Sequence, residues 1–129
     1  MKIALIGYGK MGKAIETAAL ERNKKLGYDF YEIVLKVDIH NRSELTIADL
    51  QKADVAIEFT SPDTAIENIK WCFEANVPIV VGSTGWTKEL KNIQQYAAEN
   101  DKSFLFAPNY SIGVNIFFEI NRKLAEIMN

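Results

Sequence analysis

A doubly wound α/β fold, an open parallel sheet with helices on both faces in three layers, is predicted by three observations. Apolar runs of strand length recur along the chain, segments of helical periodicity lie between them, and the runs are near-continuous in hydrophobicity. Strict alternation would mark a half-exposed sheet, whereas continuous runs suit parallel strands covered on both sides. The expected strand order is 3-2-1-4-5 with right-handed crossovers.

The strands are expected at 2–6, 31–37, 55–59, 79–81 and 104–106, each ending in a small or turn-forming residue. A first helix from Lys10 to about Asn23 follows from the helical spacing of Met11, Ala14, Ile15, Ala18 and Ala19, which predicts one buried stripe. A short helix is expected at 47–52. Ser61-Pro62-Asp63 opens the next: Ser can cap, Pro fits the first helical position and Asp complements the positive end of the helix dipole. Ala65, Ile66, Ile69 and Phe73 form its inward face. Thr87 is the expected cap of a helix reaching about Asn100, with Leu90, Ile93 and Ala97 inward. The last helix, about 112–128, carries Val114, Ile116, Phe117, Phe118, Ile120, Leu124 and Ile127, too many apolar residues for one narrow stripe. A helix that apolar either fills the core of this domain or awaits a partner surface.

The chain of 129 residues has room for one domain, 1–129. Its 48% hydrophobic and 25% charged residues describe a folding globular chain. Fifteen basic against seventeen acidic residues give a net charge of −2, which argues against nucleic acid or an anionic membrane as partner. No apolar run nears the roughly 18 to 20 residues of a membrane span. The single cysteine, Cys72, has no disulfide partner within the chain, and no signal peptide opens it, so a cytoplasmic location is expected. One Cys and one His cannot build a zinc site, and no metal is expected. Cys72 lies mid-helix without a base at nucleophile spacing and reads as a packed thiol.

Gly7-Tyr8-Gly9-Lys10-Met11-Gly12 matches G-x-G-x-x-G directly after the first strand and at the start of the first helix. In that setting the first Gly permits a tight turn, the second lets backbone approach a pyrophosphate, and the third lets helix pack close to strand. This is the fingerprint of a Rossmann-type dinucleotide site. Lys10 is either a cationic neighbour of the anion or a solvated first-turn lysine. Asp38, at the end of the second strand, is placed to accept hydrogen bonds from the adenosine ribose, or else only caps a turn; a loop at 23–29 accounts for its long separation from Gly12. An acid there favours NADH, while His40 and Arg42 leave NADPH open. Three further loops lie at carboxyl ends of strands: Phe59-Thr60-Ser61-Pro62, Gly82-Ser83-Thr84-Gly85-Trp86 and Ala107-Pro108-Asn109-Tyr110-Ser111. Their small and hydroxyl-bearing residues suit a nicotinamide and its ribose. Trp71 and Trp86 read as core or rim, and Trp86 is also placed to shield the nicotinamide edge.

The combination of the glycine loop, Phe59-Thr60-Ser61-Pro62, Gly82-Ser83-Thr84-Gly85 and Ala107-Pro108-Asn109-Tyr110-Ser111-Ile112-Gly113-Val114-Asn115 resembles the dihydrodipicolinate (4-hydroxy-tetrahydrodipicolinate) reductase family of the diaminopimelate route to lysine. The resemblance implies that Gly7, Tyr8, Gly9, Lys10, Met11 and Gly12 bind pyrophosphate and Asp38 the adenosine ribose. It also implies that Phe59, Thr60, Gly82, Ser83, Thr84, Ala107, Pro108, Asn109 and Tyr110 surround the nicotinamide half, with Thr84 bordering the substrate. Family members favouring NADPH commonly carry an arginine directly after the strand-end acid, where this chain has Ile39. The family's substrate domain, with paired histidines, a lysine and an Asp-Ala-Pro-Ser-Gly-Thr motif, has no counterpart among these residues. The chain therefore resembles the amino-terminal cofactor domain alone, with no catalytic residue of its own. The implied parent is an oxidoreductase of lysine biosynthesis, a homotetramer through the other domain, reducing a cyclic dicarboxylate imine with NADH or NADPH. Another nicotinamide-dependent dehydrogenase domain and a stand-alone NADH-sensing module are the alternative readings.

Overall fold

The computed structural model describes residues 1–128, so the last residue of the expected domain, Asn129, lies outside the described residues. The chain runs β1 (Lys2–Ile6), α1 (Lys10–Leu26), β2 (Glu32–Val37), a 3₁₀ turn (Arg42–Glu44), α2 (Ile47–Leu50) and β3 (Val55–Glu58). It continues through α3 (Pro62–Ala75), β4 (Ile79–Val81), a 3₁₀ turn (Thr87–Glu89), α4 (Leu90–Glu99), β5 (Phe104–Phe106) and α5 (Ile112–Met128). All adjacent strand pairs are parallel, and every strand lies where the apolar runs predict one. The first helix outruns its expected end: it continues to Leu26 and stops at Gly27, whose φ of 79° closes the last turn in the left-handed conformation.

The strand order is β2-β1-β3-β4-β5, which corrects the expected 3-2-1-4-5. After β2 the chain does not step outward to a third strand. It passes back over β1 and enters the sheet on the other side, in register with Ile3–Ile6. The segment between β2 and β3 holds only a 3₁₀ turn and the four-residue α2, which packs beside α3. Right-handed crossovers then put α1 on one face of the sheet and α2, α3 and α4 on the other.

The core lies on the α3 side. Ala4, Ile6, Ala56, Ile79 and Val81 meet Ala65, Ile69, Cys72 and Phe73 of α3 and Ile93 and Ala97 of α4, as the inward faces of those helices predict. Trp86 belongs to this core, edge-on to Phe104 and Phe106 at 6.1 and 5.0 Å, so packing and not shielding of a ligand is its role. The opposite face is thinner. α1 sits over Ile3 and Leu5 through Gly12, Ile15, Ala19 and Asn23, whereas Met11, Ala14 and Ala18 of the expected stripe are exposed. The stripe is rotated because the helix approaches the glycine loop closely at Gly12, where a side chain would strike the Gly7 carbonyl, and because Asn23 is drawn inward as a polar clamp. The Asn23 side chain accepts from the amides of Phe30 and Tyr31 and donates to the Tyr31 carbonyl. Farther along this face Leu105 of β5 is 56% exposed, and along α5 only Val114 is even half-buried.

Candidate functional site

The glycine loop is fixed by its neighbours at two of its three glycines. Gly7 has φ of 96°, and a Cβ there would strike the Phe59 carbonyl; a Cβ on Gly12 would lie 2.6 Å from the Gly7 carbonyl oxygen. The Gly7 and Tyr8 amides both donate to the Val37 carbonyl, at 2.9 and 2.8 Å, which ties the loop to the end of β2. Gly9 differs: nothing lies within 4 Å of its Cβ position, so no contact inside the protein demands a glycine. It precedes the first turn of α1, caps it with no side chain, and leaves the helix's orphan amides to whatever occupies the space in front of them.

That space is a cleft of about 650 Å³. It runs along the carboxyl ends of β1, β2 and β3, with Gly7, Tyr8 and Gly9 on one wall, Asp38 and Arg42 on another, and Phe59 and Thr60 on the third. Tyr8 is held by a polar cluster: its hydroxyl donates to Glu16, whose carboxylate also pairs with Lys36 at 2.7 Å, and the Lys36 ammonium lies 4.8 Å from the ring centre. The hydrogen bonds from Lys36 and Tyr8 hold the Glu16 carboxyl below its ordinary range.

Asp38 is oriented by the turn it begins. One carboxylate oxygen accepts from the amides of His40 and Asn41, at 2.8 and 3.2 Å, and the Asn41 side chain returns the favour by accepting from the Asp38 amide at 2.9 Å and donating to the Lys36 carbonyl. Asn41 was not a candidate from sequence, although an Asx residue three places after an acid is a recognisable turn signal. Capping a turn and facing the cleft are thus combined in one residue. Arg42 lies flat on Trp71 at 3.8 Å and 3.9 Å from Glu67, while His40 stays exposed at the rim.

Gly82, Ser83, Thr84, Ala107, Pro108, Asn109 and Tyr110 do not line this cleft but continue the same sheet edge beyond Phe59. The Phe59 ring lies where a Gly82 side chain would be, which explains that glycine, and is edge-on to Tyr110 at 6.4 Å. Tyr110 fastens its own loop: its hydroxyl donates to the Val81 carbonyl at 2.8 Å and accepts from the Ala107 amide at 3.0 Å. Burial pushes its phenol above the ordinary value, against the effect of the Ala107 amide. Asn115 adds a second fastening from α5, donating to the carbonyls of Asn109 and Ser111. Pro108 and Thr84 lie exposed on these loops, and Lys10 and Met11 lie exposed on the first turn of α1. Ser83 is buried, and Trp86 donates to its carbonyl at 2.7 Å.

Cys72 is fully buried, its thiol pushed up to about 12 by burial and then by the nearby Glu58 charge, as suits a packed side chain. No cluster of metal-ligating side chains occurs among the described residues, nor does a helix long and apolar enough to cross a membrane.

The family model for the amino-terminal part of dihydrodipicolinate reductase matches residues 1–110. The chain belongs to the dihydrodipicolinate reductase family. Among relatives in this family, the 4-hydroxy-tetrahydrodipicolinate reductase of Christiangramia forsetii is 38% identical over 99% of this chain and 50% of its own length. That of Colwellia psychrerythraea is 32% identical over 98% of this chain and 52% of its own length. The chain thus spans about half the length of the relatives it matches. The family match ends at the residue, Tyr110, whose hydroxyl closes the last of the sheet-edge loops.

Proposed function

We propose that residues 1–129 are the nicotinamide-dinucleotide domain of a reductase that converts dihydrodipicolinate, the dehydrated form of 4-hydroxy-tetrahydrodipicolinate, to tetrahydrodipicolinate in lysine biosynthesis. The observation that carries the reading is Gly9. It is the one glycine of the loop with open space in front of it, at a helix start whose amides have no side-chain cap. The amides at the start of α1 would hold the pyrophosphate of a dinucleotide, Asp38 would accept from its adenosine ribose, and Phe59, Thr60, Gly82, Ser83, Thr84, Ala107, Pro108, Asn109 and Tyr110 would hold the nicotinamide half. The bound cofactor supplies a hydride. What this chain contributes is orientation of the cofactor, with binding of both substrate carboxylates and the proton donor left to the other half of the parent. The parent is a cytoplasmic homotetramer assembled through that half, and this chain alone turns over no substrate.

NADH is the preferred cofactor. A 2′-phosphate would approach the Asp38 carboxylate, and Arg42, which lines the same cleft, lies over Trp71 and faces Glu67. Ile39, 90% exposed beside Asp38, offers no charge. Calorimetric titration with NADH and NADPH at low and moderate salt tests both parts: NADH is expected to bind about tenfold or more tightly than NADPH, a difference of about 1.4 kcal/mol. Equal affinities would refute the preference. No binding of either at millimolar concentration would refute the assignment of this cleft.

A further inference from the structure

We infer that Glu58 is a positioning residue for the nicotinamide side of the site, because its buried carboxylate ties the loop after β3 to the loop after β4. The inference rests on the dinucleotide reading above. Glu58 ends β3 with its side chain fully buried on the α3 side of the sheet. One of its oxygens, Oε1, accepts from the Thr60 amide at 2.9 Å, from the Thr60 hydroxyl, and from the Ser83 hydroxyl at 3.0 Å. Its main-chain carbonyl accepts the Gly82 amide at 2.9 Å. Main chain and side chain of one residue therefore hold both loops.

A carboxylate accepts and cannot donate, so it fixes the direction of every hydroxyl that meets it. The Ser83 hydroxyl spends its proton on Glu58 and accepts from the Thr60 amide at 2.8 Å. The Thr60 hydroxyl likewise spends its proton on Glu58 and accepts from the Thr64 hydroxyl at 2.8 Å and the Asn68 side chain at 3.3 Å. The polar side chains of Thr60 and Ser83 are thereby consumed inside the protein. Of the hydroxyls on these two loops, those of Ser61, which lines the cleft, and of the exposed Thr84 remain for a nicotinamide and its ribose, beside main chain whose position is set by Glu58. A buried carboxylate with a second oxygen, Oε2, that meets no hydrogen-bond partner among the described residues is a costly way to join two loops. Apolar packing would stabilise the fold at least as well; it would not fix two hydroxyls and an amide at one point.

The test compares two ligands on the 129-residue chain. ADP engages only the glycine loop and the Asp38 side, whereas NADH engages both halves of the site. Glu58→Gln replaces a charged acceptor by a neutral one of the same shape, and is expected to lower NADH affinity about tenfold while leaving ADP affinity within about twofold. Glu58→Asp keeps the charge but withdraws it by one methylene, and is expected to fall between wild type and Gln in NADH affinity, again with ADP unchanged. It also serves as the measured variant should the Gln protein not fold. A purely structural role predicts parallel loss of both ligands, or a lowered Tm with the NADH to ADP affinity ratio unchanged; either result overturns the inference. Failure of the wild-type chain to bind ADP and NADH alike would instead overturn the dinucleotide reading, and this inference with it.

Discussion

Gly7 and Gly9 stand two residues apart and answer to different demands. Gly7 is required by the protein, through a positive φ and the Phe59 carbonyl behind it, whereas a side chain at Gly9 would begin in open space. Substituting alanine should separate the two. Gly9→Ala is expected to leave Tm within the range of a surface change, about 0.5 kcal/mol, and to abolish dinucleotide binding. Gly7→Ala is expected to cost about 1–3 kcal/mol or more in a urea titration, before any question of binding arises. The sequence alone spoke for both glycines equally, since the motif registers residue identity and not what lies opposite each Cβ. Glu58 illustrates the converse. A carboxylate at the end of a short strand resembles a solvent-facing residue, and only the fold shows that it turns inward beneath two loops.

At the scale of elements, the strands were legible because each apolar run is bounded by turn residues, and α3 because Ser61-Pro62-Asp63 states its start. The order of the strands was not. Local periodicity says where a strand lies, but the side on which β3 enters depends on which face the preceding crossover covers, and the segment from Asp38 to Asp54 carries too little helix to declare it. The rotation of α1 escaped for a related reason: alanines at 14 and 18 suit an exposed helix face as well as a buried one. The short α2 in that crossover depends on a capping box. Thr46 donates its amide and hydroxyl to Asp49 at 3.0 and 2.8 Å, and Lys52 pairs with the same carboxylate at 2.8 Å. The Lys52 hydrogen bond, followed by those from Thr46, holds the Asp49 carboxyl well below its ordinary value of 3.8. A depressed carboxylate contributes stability above its unfolded value and loses it as pH falls through the folded one. Asp49→Ala should therefore lower Tm at neutral pH, and the gap to wild type should narrow as thermal melts are carried below pH 3.8.

The molecule as a whole is packed asymmetrically. Ile69, Trp71, Cys72 and Phe73 of α3 are buried, whereas Phe117, Phe118 and Ile120 of α5 remain more than half exposed. Ile69→Ala is expected to cost about 2–5 kcal/mol in chemical denaturation, and Phe117→Ser less than about 1 kcal/mol despite the larger group removed. Equal costs would mean that α5 is packed in solution. The corrected strand order has a different consequence, in time. With β2 and β3 on its two flanks, β1 is an interior strand of the sheet, and both of its neighbours are complete by residue 58, before α3 has been synthesised to cover them. The amide protons of Ile3 to Ile6 should accordingly be among the last to exchange with deuterated solvent, and those of α5 among the first. The glycine loop follows directly on that strand, so the wall of the cleft it forms is expected to be anchored to the most persistent stretch of the backbone.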